Sequence, residues 1–346
     1  MKGVNTNLLH GYPVIDDYTG AASIPKYQVT TFDQKEGYKD CGKYSYSRFG
    51  NPTILALEAA VANLHKAKFG FAFASGMSAI TTVLMLLNCQ NFEELEATIK
   101  DNTAMIYIET PSNPLLKVSD IKAIVEIAKK HNIKTVADNT FMTALYQKPL
   151  DLGCDIVIES LTKFVNGHSD VTAGCAVTNN EGIANEICLL QKNFGGILGV
   201  EDAWLILRGM KTMGLRMEKS VDNAKILTKF LETQDKIKKV YYPNLTSCKF
   251  YDIHTEQASS GGAVFSFEFF EQDDLKTFLK KIKIPIYAIS LGGVESIISH
   301  PATMSHACMS EEERLAQGVT QTLLRFSCGV EDSEDLIEDL KQALNN

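Results

Sequence analysis

Four short stretches of the chain carry residues that could do chemistry. Lys163 closes Ser160-Leu161-Thr162-Lys163. A lysine amine can condense with a carbonyl and, when neutral, can move a proton. Asp138 opens Asp138-Asn139-Thr140 and offers a carboxylate. Ser75-Gly76-Met77 precedes a helical pattern, where free N–H groups and the helix dipole attract an anion. Glu109 runs into Thr110-Pro111-Ser112-Asn113-Pro114 and adds a second carboxylate and an amide. Each stretch taken singly has a plainer reading. Ser-Gly starts many helices for capping alone, Asp138 could be a cap, and Lys163 could be a surface lysine.

The elements that must position these groups are strands alternating with helices. Phe69 to Ala74 is a short apolar run, and a helical pattern follows over 78–88. Strands are predicted at 104–109, 133–138, 154–159 and 172–178, with a helix at 119–131. Every candidate group then falls at the carboxyl end of a strand, where doubly wound sheets bind their ligands. Residues 53–65 form a helix with Thr53 as candidate N-cap, 91–100 look helical and acidic, and a long helical stretch spans about 199–234. Further on, the pattern predicts strands at 263–269, 284–289 and 322–327, and helices at 272–281 and 332–344. The expected fold class is α/β: a mostly parallel, doubly wound sheet plus a smaller C-terminal α+β domain. Residues 1–40 read as an arm of turn signals that packs on a second subunit, 41–215 as the large domain and 216–346 as the small one.

The bulk numbers fit that picture. The chain has 346 residues, 45% hydrophobic and 22% charged, enough for a large core in two domains. A net charge of −8 argues against a nucleic-acid partner and reads as a solvated surface. No apolar run of membrane-spanning length is present, and Met1-Lys2-Gly3-Val4-Asn5 lacks the apolar core of a signal peptide, so a cytoplasmic protein is expected. The eight cysteines form no Cys-x-x-Cys pair. Cys154, Cys175 and Cys188 stand in apolar surroundings and are expected to be buried free thiols rather than disulfide or zinc ligands. Neither G-x-G-x-x-G nor a P-loop occurs, which leaves a nucleotide-binding reading without support.

Together the candidate groups suit one cofactor, pyridoxal 5′-phosphate (PLP). It needs a lysine for its aldehyde, an acid beside its pyridine nitrogen and donors for its phosphate. A carboxylate that keeps the ring nitrogen protonated makes the ring an electron sink.

The sequence also closely resembles the Cys/Met-metabolism (trans-sulfuration) family of fold-type I PLP-dependent transferases, from about residue 8 to the C-terminus with one gap. The stretches that carry the resemblance are YSRFGNPT (46–53), ASGMSAI (74–80), ETPSNPLL (109–116), VADNTF (136–141), SLTKFVNGHSDVTAG (160–174), SLGGVES (290–296) and LLRFSCGVED (323–332). The resemblance implies a Schiff base between the cofactor and Lys163, which then moves the substrate's α-proton, and implies Asp138 at the pyridine nitrogen. It implies Gly76, Met77, Ser160 and Thr162 at the phosphate, the first two through backbone N–H groups. Tyr46 and Arg48 would reach the phosphate of a neighbouring subunit, so sites would be built at a dimer interface within a homo-oligomer, a tetramer by resemblance. Asn113 would lie near the phenolic oxygen with Glu109 close by. Arg325 would bind the carboxylate of a small sulfur amino acid, with Ser290 and Ile289 nearby. Glu295, His306 and His168 read equally well as structural.

The implied activity is a PLP-dependent carbon–sulfur lyase, of cystathionine γ- or β-lyase or cysteine desulfhydrase type. Cystathionine γ-synthase, methionine γ-lyase and a catalytically inactive PLP-binding oligomer are the alternatives. Ile289 stands where γ-acting members of the family often carry Glu, and it cannot accept a hydrogen bond from a distal amino group. In the family, roughly 40 residues, more than one strand–helix–strand step, separate the points that here meet at Asn88-Cys89. They carry the tyrosine that stacks on the ring. Either a segment has been left out and the numbering runs across it, or the deletion is real. The first is favoured, because losing a core strand and the stacking ring should cripple the protein. Intact-protein mass decides: 38.2 kDa would refute an omitted segment, and a heavier chain would support one.

Overall fold

The computed structural model describes residues 3–16, 19–32, 44–85, 99–100 and 103–345. The junction at Asn88-Cys89 and most of the helix expected over 91–100 lie outside the described residues. The chain forms two compact units. The first comprises Met1–Ile108, Ile121–Asn166 and Asp170–Gly214; the second comprises Glu109–Asp120, Gly167–Ser169 and Leu215–Asn346.

The first unit carries, in chain order, α1 (Val4–His10), α2 (Pro52–His65), β1 (Phe69–Phe73), α3 (Gly76–Met85), β2 (Met105–Glu109), α4 (Ile121–Lys130), β3 (Lys134–Asp138), α5 (Thr143–Tyr146), β4 (Ile156–Glu159), β5 (Gly174–Thr178), α6 (Glu181–Phe194) and α7 (Val200–Met210). Its sheet order is β1-β5-β4-β3-β2. β3 and β4 pair in parallel, whereas β5 runs antiparallel to both β1 and β4. Thus β1, β3 and β4 share one direction and β5 is reversed. β4 and β5 are buried along their whole length, as strands covered on both faces must be. Phe73, Val83, Val136, Ile156, Ile158 and Ile187 pack into one core. On α4, Ile121, Val125 and Ala128 turn inward, and Lys129 and Lys130 sit at its negative C-terminal end.

Local chemistry corrects several boundaries. The cap of α2 is Asn51, not Thr53: its side chain accepts from Thr53 N at 3.0 Å, and Pro52 takes the first helical position, where no N–H is needed. Thr53 serves the arm instead, donating to Pro25 O at 2.8 Å and accepting from Tyr27 N at 3.0 Å. The arm is not wholly extended, since it contains α1 with Leu8 buried. The stretch at 199–234 is two helices, α7 and α8 (Met213–Leu231), separated at Lys211-Thr212. Gly209, a poor helix former, lies in the last turn of α7, and Thr212 N bonds back to its carbonyl at 3.2 Å. Cys154 and Cys175 are buried and free, but Cys188 is exposed, because Ile183, Ala184 and Ile187 form the inward face of α6.

Most of α8 lies in the second unit, with β6 (Ile237–Tyr241), α9 (Tyr251–Gln257), β7 (Val264–Phe269), α10 (Gln272–Lys281), β8 (Ile286–Tyr287), β9 (Ile297–Ser299), α11 (Glu311–Gln317), β10 (Leu323–Ser327) and α12 (Ser333–Leu344). The sheet order is β6-β7-β10-β9-β8, antiparallel except for β8 against β9. Its core is aromatic, with Phe265 stacked on Phe326 at 5.1 Å between ring centroids. Among the described residues, no helix is long and apolar enough to cross a membrane.

Candidate active site

In the first unit the polar groups converge at the carboxyl edge of the sheet. Parallel pairing sets Asp138 opposite Ile158, so Asp138 and Glu159 end neighbouring strands on one side. β5 runs the other way, so its first residue, Gly174, pairs with the last residue of β1, Phe73. The turn Ser75-Gly76, the start of β5, and the ends of β3 and β4 therefore share an edge.

Asp138 is held from two directions. Its Oδ1 accepts from Thr140 N and its Oδ2 from Tyr107 OH, both at 3.0 Å. Burial pushes its acid up, the hydrogen bonds from Thr140 and Tyr107 pull it back, and the charge of Glu159 pushes the same way as burial. A carboxylate in that state gains from a cationic partner. Ser160 N donates to Thr140 Oγ1 at 2.9 Å, which ties the start of the lysine loop to the same strand end.

Lys163 sits one turn further on, its N–H donating to Ser160 O at 3.3 Å. The loop is clamped. Thr162 Oγ1 donates to Ala173 O at 3.1 Å and accepts from Ala173 N at 2.9 Å, and Asn166 Nδ2 donates to Asp170 Oδ1 at 2.7 Å. Gly209 lets α7 approach the loop, since a Cβ there would lie 2.4 Å from Asn166 O. Ser75 Oγ caps α3 by accepting from Ser78 N at 3.0 Å, and Met77 points outward, 65% exposed.

Tyr46 and Arg48 occupy another part of this unit. The Arg48 guanidinium donates to Lys192 O at 2.8 Å and lies over the Phe49 ring at 4.9 Å, next to exposed Tyr46. Arg48 and Phe49 line a cavity of about 370 Å³ with Glu58, whose acid burial pushes up to about 7.

In the second unit Arg325 is central. It lies on β10, between β7 and β9, and is 5% exposed. Its Nη1 donates to Asn113 Oδ1 and its Nη2 to Ser290 O, each at 2.8 Å. Its Nε has no hydrogen-bond partner among the described residues. Burial pushes the guanidinium down to about 10, and the charge of Glu109 partly offsets that. Glu109 also accepts from Asn113 N at 3.3 Å. Ser290 has φ +122, a backbone region that L-residues rarely adopt and that clusters at functional sites. Ile289 beside it is 68% exposed. Tyr107, Thr140 and Gly174 are partners that sequence reasoning missed. Each bonds or packs across strands, so only the sheet register reveals it.

Comparison with known proteins gives a consistent answer. The sequence profile described as "Cys/Met metabolism PLP-dependent enzyme" matches residues 5–90 and 84–345. The chain is 42% identical to the cystathionine β-lyase MetC of Bacillus subtilis over 375 aligned positions, covering 99% of this chain and 96% of that one. It is 41% identical to the cystathionine γ-lyase of Bacillus subtilis, covering 99% of each. Among solved structures, cystathionine γ-lyase from Lactobacillus plantarum complexed with L-serine superposes with a TM-score of 0.95 at 36% identity, covering 99% of this chain and 98% of that one. An alignment of 375 positions against 346 residues leaves positions of the relative with no counterpart here, and the profile match divides at the same junction, Asn88-Cys89.

The residues present suit PLP. A Cβ at Gly174 would lie 2.4 Å from Ser75 O and 2.6 Å from Gly76 Cα, and one at Gly76 would meet Ser160 Cβ at 3.2 Å. The Ser75-Gly76 turn is thus pressed against Ser160 and the start of β5. That leaves a side-chain-free mouth at the first turn of α3, suited to a phosphate. Gly174→Ala should push this turn away and weaken PLP binding about tenfold, the scale of an overpacked contact. Titrating the apo-protein with PLP reads this, and affinity equal to the parent's would contradict the cradle.

Proposed function

The chain belongs to the Cys/Met metabolism PLP-dependent enzyme family, and from that premise we propose that it is a carbon–sulfur lyase of sulfur amino acids. It takes an amino acid and water and gives a thiol, a keto acid and ammonia. The observation that carries the reading is Asp138, a half-buried carboxylate whose two oxygens are held in place at a strand end. Its burial favours a cation beside it, and the protonated ring nitrogen of PLP is such a cation. When bound, PLP supplies an aldehyde for an amine and a ring that takes up the electron pair left at the α-carbon.

The remaining roles follow from what each side chain offers. Lys163 holds the cofactor through its amine and, once released, moves the proton at the substrate's α-carbon, so it works as both tether and general base. The N–H groups of Gly76 and Met77 and the hydroxyl of Ser160 hold the phosphate. Thr162, whose hydroxyl is engaged with Ala173, keeps the loop in shape and reaches the phosphate only by turning its hydrogen. Arg325 binds the substrate carboxylate: its Nε is a buried donor with no acceptor among the described residues, and a carboxylate is the acceptor a guanidinium fork matches. The Ser290 carbonyl and Asn113 fix the fork's orientation. Asn113, with Glu109 close by, would lie near the cofactor's phenolic oxygen and could donate to it through Nδ2.

Tyr46 and Arg48 serve the phosphate of a neighbouring subunit, which makes the enzyme a homo-oligomer with sites built at a dimer interface, and the cytoplasm its place of action. Residues 41–215 act as the cofactor domain and 216–346 as the smaller domain, after an arm over 1–40. Ile289 offers the substrate an apolar contact and no acceptor, which favours a thioether side chain without need of a distal charge.

The two lyases at 42% and 41% identity differ in which bond their names imply, and identity does not separate them. Incubating the PLP-loaded protein with L-cystathionine and identifying the keto acid does. 2-Oxobutyrate is the product of γ-cleavage, with cysteine as the thiol; pyruvate is the product of β-cleavage, with homocysteine. Either acid, formed with ammonia in equal amount, supports the lyase. Bound PLP with neither acid would overturn it.

A further inference from the structure

Behind Asp138 lies a group of buried polar side chains that the reaction above does not use. Glu159 ends β4, and its side chain is 1% exposed. His65 ends α2 at 2% exposure, with Nε2 3.4 Å from Glu159 Oε1. The contact is not aligned as a hydrogen bond, and it is an ion pair when His65 is protonated. Asn139, the residue after Asp138, donates through Nδ2 to the same Glu159 oxygen at 3.0 Å, and its N–H donates to Ile158 O at 2.9 Å.

Three elements present titratable groups to Glu159: Asp138 from β3, Cys175 from β5 and His65 from α2. Only His65 can be a cation. Without it, an ionised Glu159, itself buried, would face the Asp138 carboxylate and the Cys175 thiol with no opposing charge among the described residues. Removing one partner of a buried pair is damaging for that reason, whereas replacing both by neutral groups can be nearly harmless. His65 lies on a helix, and its contact with Glu159 leads through Asn139 to Asp138.

We propose that His65 is a positioning residue: its charge neutralises Glu159 and thereby keeps Asp138 ionised and in place against the cofactor's ring nitrogen. The proposal rests on the reading of Asp138 given above. It makes the His65–Glu159 pair part of the cofactor machinery, although neither residue touches the cofactor.

The test compares the parent holoenzyme with His65→Gln, His65→Gln/Glu159→Gln and Asp138→Asn. Three quantities are read: PLP affinity of the apo-protein, the pH midpoint of the visible band of the bound cofactor, and thermal stability. His65→Gln, which strands the Glu159 charge, should weaken PLP binding about tenfold, the scale on which groups that orient a ligand act, and should shift the midpoint. The double variant removes both charges and should regain the parent's affinity and midpoint. A merely structural pair would lower thermal stability in His65→Gln and leave affinity and midpoint where they were. That outcome, with Asp138→Asn impaired, overturns the proposal and leaves the Asp138 reading standing. Parent-like behaviour of Asp138→Asn would overturn that reading and the proposal with it. If His65→Gln does not fold, the double variant decides: a parent-like midpoint supports the neutralising role, and a shifted one overturns it.

Discussion

Two carboxylates ending neighbouring parallel strands are the constraint on which the rest of the first unit depends. Asp138 and Glu159 are brought side by side by the register of β3 against β4, Glu159 buried and Asp138 half-buried, so bulk water does little to stabilise the pair's charge. Buried like charges must be separated, hydrogen-bonded or neutralised. Each device is present. Tyr107 and Thr140 take the two oxygens of Asp138, while Asn139 and His65 attend Glu159. The outward neighbour of Asp138 is then a place for a cation, which is the ground on which a protonated pyridine ring is proposed there.

Close backbone approach does the equivalent work for the phosphate and the lysine. β5 runs against β1 and β4, and that reversal sets Gly174 beside the Ser75-Gly76 turn. No side chain fits at Gly174 or Gly209, and little space remains at Gly76. These glycines let the helix-start turn, the lysine loop and α7 pack together. The lysine amine is thus carried on a loop tied at Ala173, Asp170 and Asn166 rather than on a mobile one. In the second unit the same economy of buried charge applies to Arg325. Its fork is met by one amide oxygen and one carbonyl, neither of them anionic, and its Nε–H has no acceptor among the described residues.

Much of this was legible in the sequence because chemistry and punctuation coincide. Asp138, Lys163 and Ser75-Gly76 stand where apolar runs stop, so the strand ends and the candidate groups are located together. What was not legible depends on pairing. The reversed β5 looks like any other buried strand, and its direction emerges only from its partners. Asn51 and Thr53 are both good caps, and Pro52 between them decides which one acts. The segment Glu109–Asp120 falls within the 41–215 expected as the large domain, yet Ser266 Oγ bonds Pro114 O, and Leu115 packs with Val319 and Leu323, which draws it into the second unit. Helices α1, α9 and α11 are seven residues each, too short to show a long apolar period, and were missed for that reason; α6 was missed although Ile183, Ala184 and Ile187 give it an inward apolar face. His65 was hidden as the last residue of an apolar helical pattern, and nothing in its neighbours announces a carboxylate from β4.

The central claim is that the amine of Lys163 carries the cofactor. Reducing the PLP-loaded protein with borohydride fixes any Schiff base as a stable secondary amine, and peptide mass spectrometry then finds the lysine that bears it. The account predicts a single pyridoxyl group on the peptide containing Ser160-Leu161-Thr162-Lys163, located at Lys163. Labelling on another lysine, or none despite bound PLP, would contradict it.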